Sequence, residues 1–259
     1  MTRYPTMFES LRERSERAFG AFVMLGDPDL ATSAAILDSL VQGGADMLEV
    51  GIPFSDPVAD GPVIQAAAVR ALAAGIRTAD CFRLLREFRS RHRRVPVGIL
   101  TYANLVMARG FEAFYGAAAG AGVDSVLVAD VPLIEADPFL AAARRAGVAP
   151  VLIAAPNTPP ERLALIASQG EGYTYCVARA GVTGADEQVR FAGDVIAALK
   201  EAGAPPAVLG FGISEPEHVR LALRAGAEGV ISGSAIVDRL ARGEDVRGFV
   251  AEMKAATRL

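Results

Sequence analysis

The acidic residue Glu49 lies inside an apolar run at residues 47–52, which reads Met-Leu-Glu-Val-Gly-Ile. Burying a carboxylate among apolar side chains is costly unless the group is paired or functional. Burial also raises the pKa of a carboxyl group and allows it to exchange protons near neutral pH. We therefore predict that Glu49 is a general acid and base; an acid that merely faces the adjoining loop is the alternative.

Two further acids, Asp56 and Asp60, follow in the loop at residues 53–62, which prolines and a glycine make stiff. Asp60 precedes Gly61 and Pro62, so its carboxylate could instead cap a helix that starts at Val63. The residues alone leave the catalytic and the capping interpretation of Asp60 equally open.

Three loops rich in glycine and other small residues cover residues 180–184, 210–214 and 232–235. Backbone N–H groups that converge at loops and helix starts bind anions, and barrels commonly hold phosphate beside their last two strands. We therefore predict a phosphate site at these loops. The alternative is that the glycines only make tight turns.

Apolar and aromatic residues come at the ends of several predicted strands. They are Phe22, Leu100, Leu127, Ile153, Tyr175 and Phe211. Inward side chains of a barrel are apolar, so membership of the core is the default interpretation. In the layer that faces a ligand, however, they would suit a flat apolar group joined to a phosphate by a short polar chain.

Other catalytic chemistries lack the residues that they need. The two lysines, Lys200 and Lys254, fall late in predicted helices, which excludes Schiff-base catalysis. The two histidines, His92 and His218, also fall on predicted helices, and we expect them to lie far from the strand ends. Without clustered His, Cys and carboxylate ligands we expect no catalytic metal and no histidine relay.

The elements that must position these residues repeat along the chain. Short apolar runs predict eight strands, at residues 21–25, 47–51, 95–100, 125–129, 148–153, 173–177, 207–210 and 229–231. Segments of helical period lie between them, for example at 31–41, 82–88, 160–167 and 215–223. The predicted helix-to-strand joints contain Gly44, Gly122, Gly147 and Gly226, which accept the left-handed conformation that ends a helix.

Strict alternation of strands and helices predicts a parallel sheet. An open sheet usually carries a nucleotide-binding fingerprint after its first strand, but Gly26, Asp27 and Pro28 follow here, and the motif at 210–215 lacks the third glycine. The 259 residues suit one eight-fold barrel. We predict an α/β fold, a single (β/α)8 TIM barrel domain over residues 1–259. It has an extra N-terminal helix and short extra helices in the loops after the strands.

Charge and composition narrow the class of protein. The formal net charge of −4 carries no electrostatic signature of nucleic-acid binding. The basic run at residues 89–94 is expected in the last turn of a helix, where cations suit the helix dipole. Two distant cysteines, Cys81 and Cys176, together with a charged N-terminal segment and no long apolar run, predict a cytoplasmic protein without a signal peptide or membrane span.

Five long motifs run through the chain in a fixed order. They are Leu-Glu-Val-Gly-Ile-Pro-Phe-Ser-Asp-Pro at 48–57 with Ala-Asp-Gly-Pro at 59–62, Tyr-Ala-Asn at 102–104, Val-Ala-Asp-Val-Pro at 128–132, Arg-Ala-Gly-Val-Thr-Gly at 179–184, and Gly-Phe-Gly-Ile-Ser at 210–214. Together these motifs resemble the tryptophan synthase alpha chain family over nearly the whole chain.

The resemblance implies a lyase of tryptophan biosynthesis that cleaves indole-3-glycerol phosphate to indole and glyceraldehyde 3-phosphate. By this resemblance Glu49 is the catalytic acid and base, and Asp60 is catalytic because it holds the indole N–H and stabilises positive charge on the ring. The resemblance also implies a set of substrate-binding residues for the indole and the phosphate. They are Phe22, Leu100, Tyr102, Leu127, Ile153, Tyr175, Thr183, Gly184, Phe211, Gly212, Gly233 and Ser234.

A partner also follows from the resemblance. Such chains pair with a pyridoxal-phosphate beta subunit in an alpha-beta-beta-alpha heterotetramer and pass it indole through a tunnel, so no cofactor is expected on this chain. The second and sixth loops are expected to close over the ligand, with Thr183 meeting Asp60. The expected contacts with the beta subunit are Pro53, Phe54, Asp56, Asn104 and Pro132.

Three positions depart from the family pattern. Met24 and Ala108 stand where polar residues are frequent, which bears on partner affinity, and Ala178 replaces a frequent serine. Other functions stay open: a lyase that works without a partner, another phosphosugar barrel enzyme such as an isomerase, and a non-catalytic activator. Intact Glu49 and Asp60 argue against the activator, and no histidine, cysteine or second acid at a different strand end supports the isomerase.

Overall fold

The computed structural model describes residues 3–177, 185–210 and 212–258, without the side chains of residues 185–192. In this part of the chain nine parallel strands form one sheet. They are β1 (Ala18–Met24), β2 (Met47–Gly51), β3 (Val97–Thr101), β4 (Ser125–Val128), β5 (Ala149–Pro150), β6 (Leu152–Ala154), β7 (Thr174–Val177), β8 (Ala207–Gly210) and β9 (Gly229–Ser232).

Twelve α-helices connect and surround these strands within the described residues. They are α1 (Tyr4–Glu13), α2 (Leu30–Gln42), α3 (Pro62–Ala73), α4 (Thr78–Arg91), α5 (Ala103–Arg109), α6 (Phe111–Gly120), α7 (Asp137–Arg145), α8 (Pro160–Gln169), α9 (Ala185–Glu201), α10 (Pro216–Arg224), α11 (Ser234–Ala241) and α12 (Val246–Ala255). None of them is long and apolar enough to cross a membrane.

The sheet curls into a barrel. The strand order is β5-β4-β3-β2-β1-β9-β8-β7-β6, and the strands at its two ends, β5 and β6, are separated only by Val151. The structure therefore confirms the predicted (β/α)8 barrel. The extra N-terminal helix is α1, and pairs of helices follow β2 and β3 where a simple barrel has one.

The prediction of one continuous fifth strand at residues 148–153 is wrong, because this segment forms two short strands. β5 pairs with β4, whereas β6 pairs with β7, so the segment changes its neighbour at Val151. Pro150 has no N–H to donate to a ladder. Its carbonyl accepts from Glu171 at 2.8 Å, while the Val151 N–H still donates to Val126 at 3.1 Å.

Other element ends differ from the prediction by up to four residues. The apolar pattern at residues 82–88, for example, belongs to α4, which begins at Thr78 and ends at Arg91. Periodicity marks the buried positions of a helix, whereas its polar first and last turns give no such signal. The basic run divides accordingly: Arg89 and Arg91 lie in the last turn, but Arg93 and Arg94 follow its end.

Glycine and acidic residues hold the helix-to-strand joints at the amino-terminal end of the barrel. Gly44 and Gly122 have φ values of 100° and 73°, which confirms the predicted left-handed conformation. At two of these joints, Asp46 accepts the Phe19 N–H at 2.8 Å and Asp124 accepts the Val97 N–H at 2.9 Å. Each acid thus bonds the beginning of one strand to its neighbour.

Candidate functional site

A cavity of about 310 Å³ opens at the carboxyl-terminal ends of the strands, and we call it the rim cavity. On its acidic and apolar side it is lined by Phe22, Glu49, Asp60, Leu100 and Tyr175. On the opposite side it is lined by Gly212, Gly233 and Ser234. Eight of the residues predicted from the sequence therefore meet in one cavity, and parallel strands bring them together because their carboxyl ends share one face.

Glu49 lies in the barrel interior on β2, level with Phe22 of β1 and Gly98 of β3. Its side chain is 1% exposed, and its Oε1 accepts a hydrogen bond from the Tyr173 hydroxyl at 2.6 Å. Burial raises the pKa of Glu49 to about 7, while the Tyr173 hydrogen bond acts in the opposite direction. A carboxyl group in this state can both take and give a proton near neutral pH.

Tyr173, which lies immediately before β7, is a residue of this site that the sequence did not predict. Its ring packs edge-on against Tyr4 of α1, with centroids 5.3 Å apart, and the Tyr4 hydroxyl lies 2.8 Å from Ser125 Oγ. Gly98 makes room for these hydroxyls, since a Cβ there would lie 2.7 Å from the Ser125 oxygen. The sequence did contain a signal for Tyr173. Side chains two residues apart on a strand face the same side, and Tyr175 was expected to face the ligand.

Asp60 is half-buried beside Tyr102, and the Tyr102 hydroxyl forms a hydrogen bond with the Asp60 carboxylate. Burial raises the pKa of Asp60, and the Tyr102 hydrogen bond opposes that rise. The capping interpretation of Asp60 is wrong, because α3 begins at Pro62 and its cap position is Gly61, without a side-chain cap. Tyr102 does not line the rim cavity; its hydroxyl also accepts the Ala59 N–H at 3.3 Å and so holds the loop that carries Asp60.

The opposite side of the rim cavity consists of backbone at two strand ends. Gly212 has a φ of 74°, a conformation that L side chains rarely adopt, and Ser234 is the first residue of α11. The first N–H groups of a helix have no partner within the helix, so they are available to an anion. The Ser232 hydroxyl donates to the Ile213 carbonyl at 2.6 Å and joins the two loops.

Three of the predicted substrate-binding residues that the structure describes do not line the rim cavity. Tyr102 instead forms the hydrogen bond with Asp60 described above, and Leu127 is buried in the barrel. Ile153 instead lines a second cavity of about 450 Å³, between the ends of β4 and β6 and helix α8. Thr183 and Gly184 lie outside the described residues, as does the sixth apolar position, Phe211.

The expectation that both histidines lie far from the strand ends is wrong for His218. It lies in the first turn of α10, and its Nδ1 is 3.3 Å from both the amide nitrogen and the hydroxyl of Ser214, which lines the rim cavity. Its helix begins directly after the loop at the end of β8, so the first turn lies at that end of the barrel. His92 follows α4 and binds Asp38 at 2.7 Å.

Met24 and Ala108, which depart from the family pattern, lie in different surroundings. Met24 is buried on β1, and a Cβ on Gly51 would lie 2.9 Å from its Cε, so its side chain fills the barrel beside that glycine. It therefore does not reach a partner-facing surface. Ala108 is exposed on α5.

Known proteins match the chain from end to end. The family model described as tryptophan synthase alpha chain matches residues 8–258. A tryptophan synthase alpha chain from Shewanella amazonensis is 54% identical over 266 residues, 99% of this chain and 100% of the relative. Among solved structures, a chain from Aquifex aeolicus has a TM-score of 0.92 and 34% identity with complete coverage of both chains. The tryptophan synthase subunit alpha from Legionella pneumophila has a TM-score of 0.89 and 30% identity over 99% of this chain and 98% of that one.

These matches agree with the motifs and with the barrel in which the motifs meet. They cover the strand ends that carry Glu49 and Asp60 as well as the glycine-rich loops. The chain therefore belongs to the tryptophan synthase alpha chain family, lyases of tryptophan biosynthesis that cleave indole-3-glycerol phosphate.

Proposed function

We propose that the rim cavity binds and cleaves indole-3-glycerol phosphate, with Glu49 as the catalytic acid and base and Asp60 as its catalytic partner. The single observation that carries this proposal is a buried carboxyl group with a pKa of about 7 in the same cavity as the backbone of two glycine-containing loops. The first feature suits proton transfer and the second suits a phosphate.

Cleavage breaks the bond between the indole ring and the glycerol chain. Glu49 delivers a proton to the ring carbon of that bond and takes the proton of the neighbouring glycerol hydroxyl, whose carbon becomes the aldehyde. The ring keeps the bonding electron pair and leaves as indole. One proton is gained and one is lost, so no water, oxidant or reductant is consumed, and a group titrating near pH 7 is suited to both transfers.

Asp60 balances the charge that develops during this step. Protonation of the ring carbon makes the indole nitrogen cationic, and a carboxylate that accepts the N–H hydrogen bond stabilises that state. The Tyr102 hydroxyl supports this role because its hydrogen bond favours the charged form of Asp60 against the effect of burial.

The two sides of the rim cavity then bind the two ends of the substrate. Phe22, Leu100 and Tyr175 form the walls of an indole pocket, and Ile64 and Ile231, which the sequence analysis did not single out, complete it. Backbone N–H groups at Gly212, Gly233 and Ser234 hold the phosphate. We leave Leu127 and Ile153 out of this pocket, since neither lines the cavity; the roles of Thr183, Gly184 and Phe211 stay predictions.

We further propose that the chain works as the alpha subunit of an alpha-beta-beta-alpha heterotetramer and passes indole to a beta subunit that carries pyridoxal phosphate. Exposed apolar side chains support a partner surface beside the cavity: Val58 after β2, Met107 after β3 and Ile134 after β4 are 80%, 57% and 81% exposed. The expected contacts Asp56, Asn104 and Pro132 are exposed in the same three segments that follow β2, β3 and β4, and Phe54 is partly exposed. Pro53 is buried, so we assign it to the support of its loop. Absence of a cofactor on this chain and a cytoplasmic location stay predictions.

Indole release tests both parts of this proposal. Purified chain is incubated with indole-3-glycerol phosphate, alone and with a beta subunit, and indole is measured. We expect release in both cases and a clear acceleration by the partner. No indole under either condition would refute the lyase and leave the non-catalytic activator. Full activity alone with no gain from the partner would support a stand-alone lyase instead.

A further inference from the structure

Two side chains hold the loop after β8, which lies on the side of the rim cavity lined by Gly212, Gly233 and Ser234. The Ser232 hydroxyl, at the end of β9, donates to the Ile213 carbonyl at 2.6 Å. On the other side the Ser214 N–H donates to Nδ1 of His218 at 3.3 Å, and the Ser214 hydroxyl lies 3.3 Å from the same nitrogen. Both held residues line the cavity.

We infer that His218 is a positioning residue for the phosphate: it holds the Ser214 end of this loop so that the loop backbone faces the anion. This inference rests on the proposed function, which supplies the phosphate. His218 is the third residue of α10, so its short side chain reaches back over the helix start to the residue before Glu215, the cap position. Glu215 makes no side-chain cap there, so the histidine performs the ordering that a cap provides.

The chemistry requires a neutral imidazole with its proton on Nε2, since Nδ1 must accept the Ser214 amide hydrogen. An alanine at position 218 removes this acceptor. Gly212, two residues earlier, has a φ of 74° and adds freedom to the loop, so the ties at Ile213 and Ser214 decide where its N–H groups point. A glutamine can replace the acceptor with its side-chain carbonyl.

The test compares His218→Ala and His218→Gln with wild type. We expect His218→Ala to raise KM for indole-3-glycerol phosphate by about threefold to tenfold, the range of a single hydrogen bond, with little change in kcat. His218→Gln should recover most of the loss. By calorimetry, His218→Ala should weaken binding of glycerol 3-phosphate by a similar factor but leave binding of indole, which has no phosphate, unchanged.

His92, the other histidine, provides the matched control. It binds Asp38 away from the rim cavity, so His92→Ala should leave KM and the affinity for glycerol 3-phosphate unchanged. Unchanged KM and phosphate affinity in His218→Ala would overturn the inference. An equal loss of indole and glycerol 3-phosphate binding, or no recovery in His218→Gln, would overturn it too, since either indicates general distortion. Absence of indole release by wild type would refute the proposed function instead, and the calorimetric comparison would still test the role of His218.

Discussion

Two buried carboxylates at opposite ends of the barrel have opposite surroundings. Asp124, at the amino-terminal end, is 2% exposed and accepts hydrogen bonds from the Arg3 backbone and guanidinium, from Arg89 and from the Val97 N–H, all between 2.9 and 3.1 Å. Glu49, near the carboxyl-terminal end, is 1% exposed and faces a neutral tyrosine hydroxyl.

The difference separates an acid that stabilises the fold from the acid that we propose as the reactive one. Two guanidinium groups and two backbone N–H groups surround the Asp124 carboxylate. Its hydrogen bonds connect α1 and α4 with the joint before β4. Glu49 has no cation among its described hydrogen-bond partners, and burial therefore raises its pKa to about 7. The same carboxyl chemistry yields a structural tie at one end and, at the other, the group that we propose as the proton carrier.

The largest expected effect is the loss of catalysis in Glu49→Gln. The amide keeps the shape of the side chain but cannot transfer protons, so kcat for indole release should fall by about 10²- to 10⁴-fold. Calorimetry with glycerol 3-phosphate should show that ligand still binds. Turnover at the wild-type rate would contradict the assignment of Glu49 as acid and base.

Asp124→Asn should instead damage stability. Removing the charge leaves the guanidinium of Arg89, which is 13% exposed, without its ionic partner, and breaking a buried pair in this way costs roughly 3–5 kcal/mol. Urea unfolding followed by circular dichroism measures the loss, while kcat of the folded enzyme should stay close to wild type. A loss of activity in Asp124→Asn without a loss of stability would contradict the structural role that we assign to Asp124.

Glu49→Gln should stabilise the free protein at high pH. The pKa of Glu49 is raised from 4.5 to about 7, so the folded state binds more protons than the unfolded state between these values and stability falls as pH rises through that window. Above pH 7 the variant lacks this penalty and should be more stable by roughly 3 kcal/mol. Unfolding curves of wild type and Glu49→Gln should coincide at pH 4 and differ at pH 8. Equal stability of the two proteins at both pH values would contradict the raised pKa of Glu49.

Asp60→Asn should reduce kcat by about tenfold, since an amide cannot balance positive charge on the indole. The effect should be smaller than that of Glu49→Gln because proton transfer stays intact. Indole release under saturating substrate measures it. Wild-type kcat in the variant would show that Asp60 only shapes its loop.

Tyr173→Phe should produce the smallest change, a shift of the pH profile. The Tyr173 hydrogen bond lowers the pKa of Glu49, so its removal should move the acidic limb of the kcat profile to higher pH. Tyr115→Phe serves as the control, because Tyr115 is a buried tyrosine of α6 outside the rim cavity. An unmoved limb in Tyr173→Phe would mean that another group sets the profile.

Much of the site could be predicted because it depends on local sequence. An acid in an apolar strand and glycines after β8 and β9 are visible as patterns, and the parallel barrel assigns them to one end. Tyr173 and His218 were missed because their roles depend on partners 124 and 4 residues away along the chain, which only folding orients. Leu127 and Ile153 look equivalent to Leu100 in sequence, but neither lines the rim cavity, and Ile153 lines the second cavity instead.

The sequence by itself determined the eight-fold alternation, the polarity of the barrel and the presence of a carboxylate in an apolar strand, because hydrophobic period and glycine joints are local properties. Tertiary structure alone decided which carboxyl group has a pKa near neutral pH and which side chains hold Ile213 and Ser214 in the loop after β8. These properties depend on the distances and orientations of side chains, which the fold sets for neighbours along the chain as well as for remote residues, and burial strengthens the electrostatic interactions of Glu49.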